Sequence, residues 1–255
     1  MGGNDTASCR DRIAADLGGL GVQSGDAVLM HSSFKSLGAV PGGIETLVLG
    51  LLQAVGPGGA ALMPALSYLQ EPRQVHDARN TSACVGAVPE YFRLRPGTRR
   101  SLHPTHSVCG VGVGAEALLA GHEKDSTPCG PNSPFRKLMD AGGKVILLGC
   151  GLKPNTTMHA IEEYVEPPYL FGPEREYEIT DLEGRRFTKT YRTHGFAGWA
   201  QRYDRVALLP ETGFMRRGKV LEADTYVLNG DGLRRAAVER LRQEPFFFVE
   251  RQEPA

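Results

Sequence analysis

An α/β domain with a mostly parallel central sheet flanked by helices is the fold class this sequence predicts, and three observations predict it. Apolar runs of strand length alternate with helical patterns through most of the chain. Those runs, DAVLMHSS (26–33), GAALMPA (59–65) and KVILLGCG (144–151), read as short buried strands. Later, REYEITDLEGRRFTKTYRT (175–193) alternates apolar and polar residues around Leu182-Glu183-Gly184, which reads as an antiparallel hairpin.

Taken in order, TASCRDRIAADLG (6–18) is an amphipathic pattern closed by glycine, so a helix is expected there. The strand at 26–33 follows, then a Gly/Pro loop, then IETLVLGLLQAVG (44–56), a helix with Gly56 near its end. With the strand at 59–65 these make a strand–helix–strand unit, whose strands are expected to run parallel. Residues 67–107 read as irregular and polar. VCGVGVGAEALLAG (108–121) reads as a strand running into a helix. A Pro/Gly loop with a short helix from Ser133 leads to the strand at 144–151. A helix starting at Thr156 comes next, and Asn155 can cap it. After the hairpin, GDGLRRAAVERLRQEPFFFVE (230–250) reads as a helix, then a strand. No repeat or low-complexity linker divides the chain, so residues 1–255 are expected to form a single domain.

The chain has 255 residues, 41% of them hydrophobic, enough for a sizeable core. Its 29 basic and 29 acidic residues cancel, and no basic stripe interleaves with aromatics, so nucleic acid is not an expected partner. No apolar run approaches the ~20 residues that span a bilayer, so no membrane span is expected. MGGNDTASCR lacks the apolar core of a signal peptide. It fits the loose Met-Gly-x-x-x-Ser/Thr myristoylation pattern, but no polybasic patch accompanies it. The five cysteines are odd in number and widely spaced, which predicts reduced thiols and a cytoplasmic location.

KPNTTMHAIEEYVEPPY (153–169) is the stretch richest in chemistry. Met158, Ile161 and Val165 form its apolar stripe, and His159 lies beside it. Glu162 and Glu163 follow His159 at i+3 and i+4, so either can meet the imidazole. A carboxylate on one ring nitrogen fixes the tautomer and leaves the other nitrogen as a base. Spacing alone also fits a surface helix whose His–Glu pair adds a few tenths of a kcal/mol. HSS (31–33) ends a buried strand where backbone N–H groups can cradle an anion or a carbonyl. His103 and His106, with His31, His159 and His194, raise the question of a metal. The His-x-x-His spacing follows a proline and has no matching carboxylate, so no metal is expected. Cys129 could act as a nucleophile with His159 as base, although cysteine is more often simply buried.

Three blocks in this order resemble the aminoglycoside 3-N-acetyltransferase family, also called the antibiotic acetyltransferases. They are VLMHSSFKSLGAVPGGIETLVLGLLQAVGPGGAALMPALS (28–67), GAVPEYFRLRPGTRRSLHPTHS (86–107) and SPFRKLMDAGGKVILLGCGLKPNTTMHAIEE (133–163). The last contains Asn-Thr-Thr-x-His-x-x-Glu, the most specific motif. The resemblance covers about residues 10–250 and implies a fold of that family, with acetyl-CoA as donor to an amine. It implies His159 as general base, Glu162 as its orienting carboxylate and Thr156 near the thioester. By the same analogy His31, Ser32, Ser33, Ser101 and His103 would line the pantetheine and phosphate channel. Glu163, Asp204 and His194 are the residues expected on the acceptor side. The matching acceptor region, YRTHGFAGWAQRYDRV (191–206), has one acid, Asp204, against Arg192, Arg202 and Arg205. It suits a neutral or anionic amine better than an aminoglycoside polycation. A CoA-binding protein without activity, or a thioester hydrolase using Cys129 or His159, are the competing readings.

Overall fold

The computed structural model describes residues 2–210 and 213–252. Along the chain run α1 (Gly2–Gly19), β1 (Ala27–Ser32), α2 (Gly43–Val55), β2 (Ala60–Pro64), β3 (Val75–Asp77), α3 (Ala87–Leu94), β4 (Arg99–Arg100) and β5 (Val108–Gly112). There follow α4 (Ala115–Leu119), α5 (Pro134–Asp140), β6 (Lys144–Leu148), α6 (Thr157–Glu162), β7 (Phe171–Thr180) and β8 (Arg186–His194). β9 (Trp199–Gln201), β10 (Met215–Val220), β11 (Ala223–Asn229), α7 (Gly230–Gln243) and β12 (Val249–Arg251) complete it.

The central sheet has seven strands in the order β10-β11-β6-β1-β2-β5-β4. β1 pairs parallel with β2, as the strand–helix–strand reading required, and parallel with β6 on its other side. The other four pairings, β10–β11, β11–β6, β2–β5 and β5–β4, are antiparallel. The sheet is therefore mixed, with a parallel centre and antiparallel margins. An apolar run of five residues shows that a strand is buried without showing its direction. Among the described residues no helix is long and apolar enough to cross a membrane.

Side-chain alternation along the strands divides the core into two layers. Val28, Met30, Ala61, Met63, Ile146 and Leu148 face Ile13 and Leu17 of α1 and Leu47, Val48 and Leu51 of α2. Leu29, Leu62, Val108, Val145 and Leu147 face Phe135, Met158, Ile161, Leu233 and Leu241 on α5, α6 and α7. A two-sided core of this kind explains why the central strands read as unbroken apolar runs. The hairpin forms as expected, but it joins β3 in a separate three-stranded sheet, β3-β7-β8. The segment 67–107 is less irregular than its composition suggests, since it contributes β3, α3 and β4. Each is eight residues or fewer; β3 pairs with the distant β7, and β4 is only two residues set against the nearby β5.

One backbone position in the sheet requires glycine. Gly112 pairs with Ala60 at φ +107°, and a Cβ there would lie 2.3 Å from the Gly59 carbonyl oxygen. Backbone on both sides leaves no side chain to move. Gly112→Ala is expected to cost about 2 kcal/mol or more, from the strained φ plus the clash. Thermal unfolding should show a Tm drop of at least ~4 °C, given ~2–4 °C per kcal/mol at this size. An unchanged Tm would contradict the assigned geometry.

Candidate active site

The carboxyl ends of the parallel strands converge on one cavity, the place where open α/β sheets receive ligands. His31 and Ser32 end β1, Pro64 ends β2, and the turn after β6 runs through Asn155 and Thr156 into α6. All of these line a cavity of about 780 Å³, together with His106, His159, His194 and Tyr203. The turn into α6 is fastened by Asn155, whose Oδ1 accepts from the Thr157 N–H at 3.2 Å. That is the capping role read from the sequence, displaced by one residue.

Helix α6 carries two adjacent buried carboxylates, and each serves a different histidine. Glu162 is fully buried, and its Oε2 lies 3.4 Å from His159 Nδ1. Tyr203 comes closer to both: its hydroxyl donates to Glu162 Oε2 at 2.7 Å and lies 2.9 Å from His159 Nδ1. A hydroxyl that donates to the carboxylate has a lone pair for Nδ1–H. The imidazole is thereby held in the Nδ1–H tautomer, with Nε2 left as the basic nitrogen. Tyr169 donates to the second carboxylate oxygen at 2.8 Å. Burial, followed by the charge of Glu162, raises Tyr203 well above the ordinary tyrosine range, so it stays a phenol. Glu163 turns the other way. It accepts from Thr127 Oγ1 at 2.6 Å and Cys129 N–H at 2.7 Å, and meets His194 Nε2 at 2.7 Å.

Histidines crowd the cavity wall. One ring nitrogen from each of His106, His159 and His194 lies within 4.8 Å of the others. Burial, reinforced by neighbouring histidines, holds His106 and His194 well below the ordinary imidazole value. Burial and then His159 lower His31 to about 3. His159 thus looks out on neutral imidazoles rather than on cations. Among the described residues, four buried polar atoms on the wall have no hydrogen-bond partner: His31 Nε2, Ser32 Oγ, Asn155 Nδ2 and His194 Nδ1.

A profile of aminoglycoside 3-N-acetyltransferases matches residues 29–242. The chain belongs to the aminoglycoside 3-N-acetyltransferase family. Aminoglycoside N(3)-acetyltransferase VII of Streptomyces paromomycinus is 32% identical over 257 residues, covering 88% of each chain. Aminoglycoside N(3)-acetyltransferase IX of Micromonospora chalcea is 29% identical, covering 86% of this chain and 88% of its own. Among solved structures, aminoglycoside acetyltransferase AAC(3)-IVa in complex with a gentamicin superposes with a TM-score of 0.81. It is 27% identical and is matched over 96% of this chain and 91% of that one. AAC-IIIb in binary complex with CoASH gives 0.78 at 27% identity, over 96% and 98% of the two chains.

In this family member the residues singled out from the sequence fall into three places. His31, Ser32, Thr156, His159 and His194 all line the main cavity, and Glu162 and Glu163 stand behind it. His103 lines a smaller neighbouring cavity instead. Ser33, Ser101 and Asp204 line neither. Ser33 precedes a short 3-10 turn (Phe34–Leu37) without a side-chain cap bond to it, and its N–H is bonded to the Leu148 carbonyl at 2.8 Å. Ser101 is buried, accepting from Val108 N–H at 2.9 Å and lying 3.0 Å from His122 Nδ1. Asp204 is paired with Arg202 at 2.8 Å. Sequence reading missed Tyr203 and Tyr169, which no spacing rule connects to α6, and it did not pair His194 with Glu163. Cys129 is fully buried, and burial raises its thiol well above the ordinary value. Cys150 does line the cavity, and burial pushes it up to about 11. Neither thiol is poised as a thiolate at neutral pH.

So many buried neutral histidines make the fold sensitive to acid. His31, His76 and His122 are lowered to about 3, and His103, His106 and His194 lie well below their ordinary value, burial being the largest cause in each. Below about pH 6.5 the unfolded chain binds protons that the folded chain refuses. Their contribution is complete above about pH 6.5 and is lost as pH falls toward about 3, at up to ~1.4 kcal/mol per unit for each. Tm measured between about pH 8 and pH 4 should stay level to about 6.5 and then drop steeply. A level Tm down to about pH 4.5 would show that these rings do not stay neutral in the fold.

Proposed function

We propose that this chain transfers the acetyl group of acetyl-CoA to an amine, with His159 as general base. The observation that carries the reading is the His159–Tyr203–Glu162 network, which leaves Nε2 as the proton acceptor at the wall of a cavity open to both substrates. An amine is mostly protonated at neutral pH and must lose a proton to attack. Once that first proton has gone to solvent, the free amine nitrogen bonds to the thioester carbonyl carbon, and His159 Nε2 takes the second proton, which the nitrogen must shed to become an amide. The carbon–sulfur bond then breaks and CoA leaves as the thiol, taking its proton from the imidazolium. Glu162, buried and fed by two tyrosine hydroxyls, stabilises that imidazolium through Tyr203. Ser32 Oγ and Asn155 Nδ2 are candidate donors to the carbonyl oxygen as it becomes an oxyanion. His31, Ser32 and Thr156 line the space for the thioester, and His194 with Glu163 behind it lies toward the acceptor.

This reading is favoured over a thioester hydrolase with a cysteine nucleophile because neither thiol near the site is activated; hydrolysis by water with His159 as base would release thiol from acetyl-CoA equally with and without an amine. It is favoured over a CoA-binding protein without activity because the Asn155–Glu162 motif is intact and Glu162 and Tyr203 hold the His159 ring at the wall of the main cavity.

His159→Ala should lower kcat by about 10²–10⁴, the usual worth of a positioned base, and leave the CoA dissociation constant nearly unchanged. Tyr203→Phe and Glu162→Gln should each cost less, because the imidazole remains but its orientation and charge partner are weakened. Thiol release from acetyl-CoA with an accepted amine, alongside CoA titration of each variant, measures both. A His159→Ala enzyme retaining most of its kcat would sink the mechanism. Acetyl-CoA at 100 times its Kd should stabilise the wild type by about 2.7 kcal/mol, and a melting curve unmoved by it would argue against the donor.

A further inference from the structure

We infer that the acceptor amine carries an anionic group, seated in a second cavity beside His194; this rests on the acetyl-transfer reading above. The second cavity has a volume of about 200 Å³, and Tyr68, His106 and His194 line both it and the main one. Three of its lining residues hold buried polar atoms without a hydrogen-bond partner: His103 Nε2, Tyr191 Oη and His194 Nδ1. His103 and Tyr191 are each only 1% exposed. Buried polar groups in native proteins nearly always find partners, so three orphans around one small space point to a ligand that supplies them.

The hydrogens of these groups define the ligand. His103 Nδ1 accepts from the N–H groups of Thr105 and His106 at 3.2 and 3.0 Å, so its Nε2 carries the hydrogen and donates. Tyr191 offers a second donor. Arg175 lies directly across the hairpin from Tyr191, lines the same cavity, and has no carboxylate partner among the described residues. Arg192 lines it too, with its guanidinium 3.9 Å above the Phe171 ring and 4.0 Å from Glu166. Among the described residues no aspartate or glutamate lines either cavity. Two neutral donors and a guanidinium without a carboxylate fit an anionic oxygen group, either carboxylate or phosphate. His194 Nδ1, on the shared wall with Nε2–H directed at Glu163, offers a lone pair suited to an amine N–H. The acceptor would then place its nitrogen between His159 and His194 and its anion against Arg175, Tyr191 and His103. A tri- or tetracationic aminoglycoside meets like charge there.

The test compares acceptors in thiol release from acetyl-CoA: ω-amino acids of two to five carbons, 2-aminoethyl phosphate, the neutral amides of the amino acids, and kanamycin. The best anionic amine should exceed its neutral counterpart in kcat/KM by about ten- to a hundred-fold, the usual worth of a charge-assisted hydrogen bond. The carboxylate and phosphate arms show which anion fits. Arg175→Gln and Tyr191→Phe should lower kcat/KM for the anionic acceptor by several-fold more than for the neutral one. Kanamycin or neutral amides outperforming every anionic amine would overturn the anionic subsite and leave acetyl transfer standing. Absence of amine-dependent thiol release, with CoA binding intact, would overturn the acetyl-transfer reading instead. In that event calorimetric titration of the ω-amino acids into wild type and Arg175→Gln decides the subsite, and binding that is absent or indifferent to Arg175 would overturn it.

Discussion

Two consecutive carboxylates buried at the end of one short helix are the constraint to which the rest of the site answers. An ionised carboxylate removed from water costs several kcal/mol unless its oxygens are filled by donors. Glu162 and Glu163 point to different sides of α6, so one set of donors cannot serve both. Tyr169, Tyr203 and His159 satisfy the first; Thr127, the Cys129 backbone and His194 satisfy the second. Those partners come from the loop before α5, the turn after α6, the end of the hairpin and the segment after β9. The demand of two side chains thus pins four separate parts of the chain around one helix.

The sheet sets where that helix stands. The parallel centre aims β1, β2 and β6 in one direction, and the loops at their carboxyl ends bring His31, Pro64 and Asn155 to a common cavity. Packing of Met158 and Ile161 into one of the two core layers fixes α6 against the sheet. His159 is left on the cavity side of the same helix, so its position is a by-product of how its neighbours are buried. The antiparallel strands at either margin widen the platform without adding residues to this part of the site.

What is legible in the sequence follows from range. β1, β2, β6 and the β7–β8 hairpin announce themselves through local patterns of apolar residues. β3 and α3 do not, because each is short and is stabilised by contacts far along the chain, and β4 is only two residues long. β10 and β11 escape sequence reading for another reason: they form a local hairpin, but MRRGKV carries few apolar residues, and only ADTYVLN is paired with the distant β6. Strand direction in the margins is equally out of reach. In the site, the i, i+3 spacing places Glu162 beside His159, and the structure has them 3.4 Å apart. Tyr203 lies 44 residues from His159 in a run of mixed charge, and nothing local marks it. Composition singles out Asp204 as the lone acid of its region, but Arg202 already holds it. Ser101 sits in a block that resembles the family, yet its hydroxyl is spent on a backbone amide and a histidine.

The hairpin belongs to a different sheet from the strands that deliver His31, Asn155 and His159. Its exposed positions can be exchanged without disturbing the packing beneath α6, since their side chains contribute nothing to either core layer. On the reading proposed above, the residues that would meet the acceptor's anion and those that would move its proton sit on separate parts of the frame. Substitutions on the exposed face of the hairpin would then alter which amine is accepted and leave the frame that carries α6 unchanged.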